Sequence, residues 1–248
     1  MLLLLLVAGF AAACGDAVTS EPSPEVVETA EAESRDITIV APVSTTPTSD
    51  DEGKDPITLD GRVFGHGETG VILAHMRPAD QTSWYPFAQV LADTGKYTVM
   101  TFDFRGYGDS TGDKQFDRID TDLTAAYDYM KEELGMDRVF LVGASMGGTA
   151  SLVVGARVHV EGVVSISSPE QFPPIDATTT VGDITAPKLF ITSEDDVPAA
   201  RSQEKFWELA QEPKQQHIYE GDAHGTALFD GPHADDLRRR IIAFIEAN

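Results

Sequence analysis

From Ile57 to the carboxyl terminus, short apolar runs alternate with stretches of helical periodicity, and this alternation limits the possible folds more than any other feature. The runs are Ile57–Phe64, Val71–His75, Tyr97–Phe102, Arg138–Val142, Gly162–Ser165, Lys188–Thr192 and Gln216–Tyr219. Helical patterns lie between or after them at Tyr85–Thr94, Asp117–Leu134, Met146–Val158, Ala199–Gln211 and Ala234–Ala247. A strand buried on both faces reads as a continuous apolar run, and joining it to a parallel neighbour needs a crossover long enough for a helix. The expectation is an α/β fold over residues 57–248, with one mostly parallel central sheet covered by helices on both faces. Ile37–Val40 is a further strand candidate, but Pro42 and Pro47 follow at once.

Ahead of that domain the composition changes. Gly15 to Pro56 holds eleven Asp or Glu against Arg35 and Lys54, with few large apolar residues, so residues 14–56 read as an acidic, disordered tether. The apolar run Leu2–Ala13 falls short of the roughly 20 residues that span a bilayer, and it fits the core of a secretory signal peptide, residues 1–13. Cys14 is the only cysteine, so no internal disulfide can form. Its place directly after small residues resembles the lipobox of bacterial lipoproteins, which implies lipidation at Cys14 and an exported, membrane-anchored protein. The alternative is a secreted one.

The formal charge, 18 minus 41 or −23, sets nucleic acid aside as a partner, because phosphates are repelled rather than neutralised. Most of the chemistry is concentrated in one stretch, VGASMGGTA. Within it Gly143 to Gly147 matches G-x-S-x-G, with a strand-like run before it and a helix-like run after it. That context fits a sharp strand-to-helix turn whose glycines relieve crowding and whose serine projects clear of the sheet. A serine hydroxyl needs a base to take its proton, and the base needs a carboxylate to fix its tautomer. In this motif the partners follow in the order acid, then histidine.

Lys188–Thr192 leads into Glu194, Asp195 and Asp196, any of which meets the requirement for an acid by position. His224 lies in a glycine-flanked loop after the last strand-like run and is the candidate base. Of the others, His217 lies within a strand, His233 opens the last helix, and His66, His75 and His159 precede or lie outside the required order.

With these residues in place, the chain from about Ile57 onward resembles the α/β-hydrolase family. The likeness includes VILAHMRPADQTSWYPFAQVLADTGKYTVMTFDFRGYGDS, whose last part is similar to the family's D-x-R-G-x-G-x-S segment at Asp103, Arg105, Gly106, Gly108 and Ser110. The resemblance implies that this segment braces the loop beside the site, and it favours Asp196 over Asp195 as the acid. It also implies an oxyanion hole made by the backbone amides of Met146 and Arg77. The usual His-Gly turn reads His75-Met76-Arg77 here, which leaves the Met76 amide as an alternative.

Only Ser167–Ala186 is available for a cap, so the site is expected to be open, lined by Met76, Trp84, Met146 and Phe172. The resulting expectation is a serine hydrolase of carboxylic esters, or of related thioester, lactone or amide groups, acting on a small molecule through Ser145, His224 and Asp196. Neither a metal nor an organic cofactor is implied, and a monomer is expected. From a different functional class, the alternative is a non-catalytic surface lipoprotein that uses the fold as a binding module.

Overall fold

The computed structural model describes residues 32–43 and 55–248. The expected signal peptide, Cys14 and most of the expected tether lie outside the described residues. Eight strands form the main sheet: β1 (Ser34–Ala41), β2 (Ile57–Phe64), β3 (Thr69–Ala74), β4 (Tyr97–Phe102), β5 (Arg138–Ala144), β6 (Gly162–Ile166), and, after a small hairpin, β9 (Lys188–Ser193) and β10 (Lys214–Tyr219). The hairpin strands, β7 (Gln171–Phe172) and β8 (Ile175–Asp176), pair only with each other. Across the main sheet the order is β1-β2-β4-β3-β5-β6-β9-β10. The β1/β2 and β2/β4 pairs are antiparallel and every later pair is parallel.

Among the described residues five helices complete the layers: α1 (Tyr85–Ala92), α2 (Ile119–Glu132), α3 (Met146–Gly155), α4 (Val197–Leu209) and α5 (Ala234–Ala247). The central strands show why their sequences are apolar throughout. In β3, Ile72 and Ala74 face the core shared with α2, α3 and α4, while Val71 and Leu73 face the core shared with α1 and α5. In β5, Val139 and Leu141 face the first core and Phe140 and Val142 the second. Successive side chains point to opposite faces of a strand, so covering both faces makes every position apolar. At the sheet edge β10 is half solvated, and its polar start, Lys214-Gln215, hid its first two residues from the apolar pattern.

One boundary differs from expectation. β1 falls within the segment 14–56 expected as a tether, yet it pairs along its full length with β2, from Ser34 against Phe64 to Ala41 against Ile57. Its inward residues Ile37, Ile39 and Ala41 are buried in the core. The ordered domain therefore includes Ser34–Ala41, because alternate residues of a short strand bury an apolar face even where the average composition is acidic.

Candidate active site

Ser145 is the single residue between β5 and α3, and its backbone φ is +49°. A non-glycine residue held there costs about 1–3 kcal/mol, which the surrounding packing must offset. The flanking glycines make the turn possible. A Cβ on Gly143 would collide with the carbonyl of Gly147, and one on Gly147 would collide with that of Ala74. Two hydrogen bonds fix the turn: Ser145 N–H donates to Ile166 O at 2.8 Å, and Gly147 N–H donates to His75 O at 3.1 Å. Ser167, at the end of β6, has the same φ, but its hydroxyl is buried and without a partner among the described residues. Positive φ alone does not present a hydroxyl.

His224 follows β10 and begins the short 3-10 turn Gly225–Phe229. Its Nδ1 lies 2.6 Å from Asp196 Oδ2. An ionised carboxylate only accepts, so Nδ1 carries the proton and Nε2 keeps its lone pair. Asp196 stands at the amino end of α4, where an aspartate often caps the helix. Its side chain makes no capping hydrogen bond and serves the histidine instead. Asp195 is exposed, and its N–H is bound to Gly221 O at 2.9 Å, so the structure brings Asp196 and not Asp195 to the ring. Ser193 Oγ donates to Ala223 O at 2.7 Å and Glu194 N–H to Tyr219 O at 2.9 Å, joining the loops that carry the acid and the histidine.

The histidine loop also closes on the turn. A Cβ placed on Gly225 would lie 3.5 Å from Ala144 Cβ and 2.5 Å from Met76 Sδ. Residue 225 thus packs directly against the residue before Ser145. Ser145 is buried, and its Oγ makes no hydrogen bond to a described residue, His224 included.

The expected oxyanion donors sit beside this turn. Met146 is the first residue of α3, where backbone N–H groups have no partner within the helix. The peptide of Met76 and Arg77 is held by His75, whose buried ring donates from Nδ1 to Met76 O at 2.9 Å and accepts the Phe104 N–H on Nε2 at 3.1 Å. Carbonyl and N–H of one peptide point in opposite directions, so fixing the Met76 carbonyl on the ring turns the Arg77 N–H away from it. Burial pulls the His75 pKa down to about 4, so the ring stays neutral and can keep both roles.

Of the expected lining, Met76 is half-buried against Gly225, and Phe172 is half-buried in the β7–β8 hairpin, packed on Phe116 with ring centroids 5.7 Å apart. Trp84 is a correction. It is fully buried between α1 and the 3-10 turn that carries Phe229, 5.4 Å from the Phe229 ring, and serves the core because its neighbour helix α1 turns that face onto the sheet. The Met146 side chain is likewise core, leaving only its amide to the site. Among the described residues no group of three or more His, Cys, Asp or Glu converges to hold a metal ion.

A family model described as alpha/beta hydrolase fold matches residues 66–204, more than half of the chain. The chain belongs to the α/β-hydrolase family. It is 26% identical over 223 residues to the uncharacterized protein Rv2307c of Mycobacterium tuberculosis, covering 77% of each chain. Among solved structures, this α/β hydrolase is similar to the esterase Pf2001 of Pyrococcus furiosus, with a TM-score of 0.71, 18% identity, and coverage of 87% of this chain and 93% of that one. It is also similar to the enol-lactonase of Burkholderia xenovorans, with a TM-score of 0.63, 17% identity, and coverage of 77% and 97%. At such identities these structures share the fold.

Sequence reasoning did not single out Lys114, which rests on Tyr107, or Phe116, which packs between Arg77 and Phe172. Both follow the D-x-R-G-x-G-x-S segment in a loop that is otherwise small and polar, and the lone phenylalanine there was the available signal.

Proposed function

We propose that the protein is a serine hydrolase that cleaves carboxylic esters, or closely related acyl groups, through an acyl-enzyme on Ser145. The observation that carries this reading is the 2.6 Å pair of His224 and Asp196 beside a serine at φ +49° on a strand-to-helix turn. Ser145 Oγ attacks the carbonyl while His224 Nε2 takes its proton, and Asp196 stabilises the imidazolium that forms. The negative oxygen of the tetrahedral intermediate is held by the N–H groups of Met146 and Arg77. Each such donor is worth about 10²–10³ in turnover in enzymes of this kind. His224 then protonates the leaving alcohol, and water repeats the sequence to release the acid. A fluorophosphonate probe is expected to label Ser145, with labelling abolished in Ser145→Ala; labelling that survives the substitution overturns the assignment.

The location we propose is outside the cytoplasm, on a lipid anchor at Cys14. One acyl chain binds a membrane only marginally, so stable anchoring needs two or more. Among the described residues no helix is long and apolar enough to cross a membrane. Mass spectrometry of the natively expressed protein is expected to show acyl chains on Cys14, and an unmodified cysteine overturns the anchor.

A further inference from the structure

Arg77, on the loop after β3, and Lys114, beside Tyr107, are two cations with no carboxylate partner among the described residues. Elsewhere in this acidic chain basic side chains commonly pair: Arg62 with Asp36, Lys96 with Glu246, Arg105 with Asp122 and Arg157 with Asp120. Arg77 and Lys114 rest on aromatic faces instead, with no ion pair among the described residues. The Arg77 guanidinium lies 4.9 Å from the Phe116 ring centroid, and Lys114 Nζ lies 4.2 Å from that of Tyr107. The two are neighbours through the rings, because Tyr107 stands edge-on to His75 at 5.0 Å and His75 is two residues from Arg77. Nearby carboxylates are occupied: Asp80 accepts from Thr82, Asp103 from Gln81, and Asp117 pairs with Arg118. Asp113 adjoins Lys114 in sequence but forms no ion pair with it.

Their position relative to Ser145 follows from the sheet. β5, which ends at Ala144 just before Ser145, lies between β3 and β6. Arg77 is on the loop after β3 and Phe172 on the hairpin after β6, and Phe116 touches both. The row Arg77–Phe116–Phe172 therefore joins the two loops that flank the serine. A ring face holds a guanidinium in place while leaving its N–H fork free, and that fork matches a carboxylate or phosphate.

We propose that Arg77, supported by Lys114, anchors an anionic group of the substrate, so that the preferred esters carry a carboxylate or phosphate a few bonds from the scissile carbonyl. This rests on the ester-hydrolase reading above. The overall charge of −23 opposes such substrates at a distance, but beyond about 8 Å that field is screened at physiological ionic strength, and contact with the cations decides binding.

The test compares matched substrates on the full-length protein: mono-4-nitrophenyl glutarate against 4-nitrophenyl pentanoate for an acyl-side carboxylate, 4-acetoxybenzoate against its methyl ester for an alcohol-side carboxylate, and 4-acetoxyphenyl phosphate against phenyl acetate for a phosphate. The readout is the ratio of kcat/KM, anionic over neutral, which cancels any effect on the oxyanion amide of Arg77. In at least one arm the ratio is expected to exceed one and to fall roughly tenfold in Arg77→Ala, mainly through KM. Part of it should return in Arg77→Lys, and Arg77→Glu should bring it below one. A ratio below one in every arm, or one unmoved by these substitutions while circular dichroism shows a folded protein, overturns the anchor and leaves the hydrolase intact. No hydrolysis in any arm together with no fluorophosphonate labelling overturns the hydrolase reading, and the anchor with it.

Discussion

His224 and His75 are chemically the same side chain, and their surroundings suit them to opposite roles. The His224 side chain is 43% exposed, with Nδ1 on a carboxylate and Nε2 unclaimed. His75 is fully buried, with Nδ1 on the Met76 carbonyl and Nε2 on the Phe104 N–H; the carboxylate of Asp103 lies 3.8 Å away. Proton exchange needs a free nitrogen, access to solvent or substrate, and a counter-charge for the imidazolium. His224 has all three. Because both nitrogens of His75 are committed to the backbone, protonation would break the Phe104 hydrogen bond and bury a charge. The ring is suited to holding the Met76–Arg77 peptide, and burial pushes its pKa down to about 4.

The sharpest break in this contrast is the removal of the counter-charge from His224. Asp196→Asn should leave the fold intact and lower turnover by about 10⁴-fold, since the amide favours the wrong tautomer and leaves the imidazolium unsupported. Asp195→Asn is the control. That carboxylate is exposed and does not reach the ring, so turnover should change little. Steady-state kinetics of the two variants, with circular dichroism for folding, decide between the neighbours. Full activity in Asp196→Asn means that the pair is not catalytic.

His75 should instead reveal itself in stability. His75→Leu leaves the Met76 carbonyl and the Phe104 N–H without their buried ring partner. Two unsatisfied buried groups at about 1–3 kcal/mol each suggest a loss of roughly 3–5 kcal/mol in unfolding free energy, measurable by urea denaturation. A loss below about 1 kcal/mol would mean that the ring is not a strut.

Much of this arrangement was legible in the sequence because it depends on local chemistry. Continuous apolar runs marked β3, β5 and β9, whose two faces are both covered, and the glycines around Ser145 marked a turn that a Cβ would obstruct. What stayed hidden depends on partners distant in the chain. Ile37–Val40 was legible as a strand candidate, but its extension to Ser34–Ala41 and its place in the sheet depend on β2 accepting it, in an acidic setting that reads as tether. The hairpin strands are two residues each, too short for any periodicity. Trp84 read as lining because a tryptophan near the His75 loop can face either way, and only the packing of Phe87 and Phe229 shows that it turns inward. The choice between Asp195 and Asp196 turned on one step of chain direction, which resemblance supplied and spacing did not.

The contrast between the histidines also has a pH signature. His75 titrates at about 4 in the folded protein, against 6.5 for an unperturbed side chain. Between those values the unfolded chain takes up a proton that the folded chain does not, so lowering the pH favours unfolding. The stability that His75 contributes through staying neutral is fully present above pH 6.5 and is lost as the pH falls towards 4. The loss is on the order of 3 kcal/mol at 1.36 kcal/mol per pH unit. Asp60, Asp103 and Asp122, all pushed up by burial, act in the opposite sense, because their contribution is greatest in acid and declines as the pH rises through their folded values. The raw profile therefore mixes both signs. Comparison with His75→Asn isolates the histidine, because asparagine does not titrate and its amide can still donate to the Met76 carbonyl. The gap in unfolding free energy between the native protein and the variant should narrow as the pH falls from 6.5 to 4, even as both profiles carry the same carboxylates. If the two lose stability in parallel across that range, His75 is protonated in the folded state, and the distinction between the two histidines rests on contacts alone.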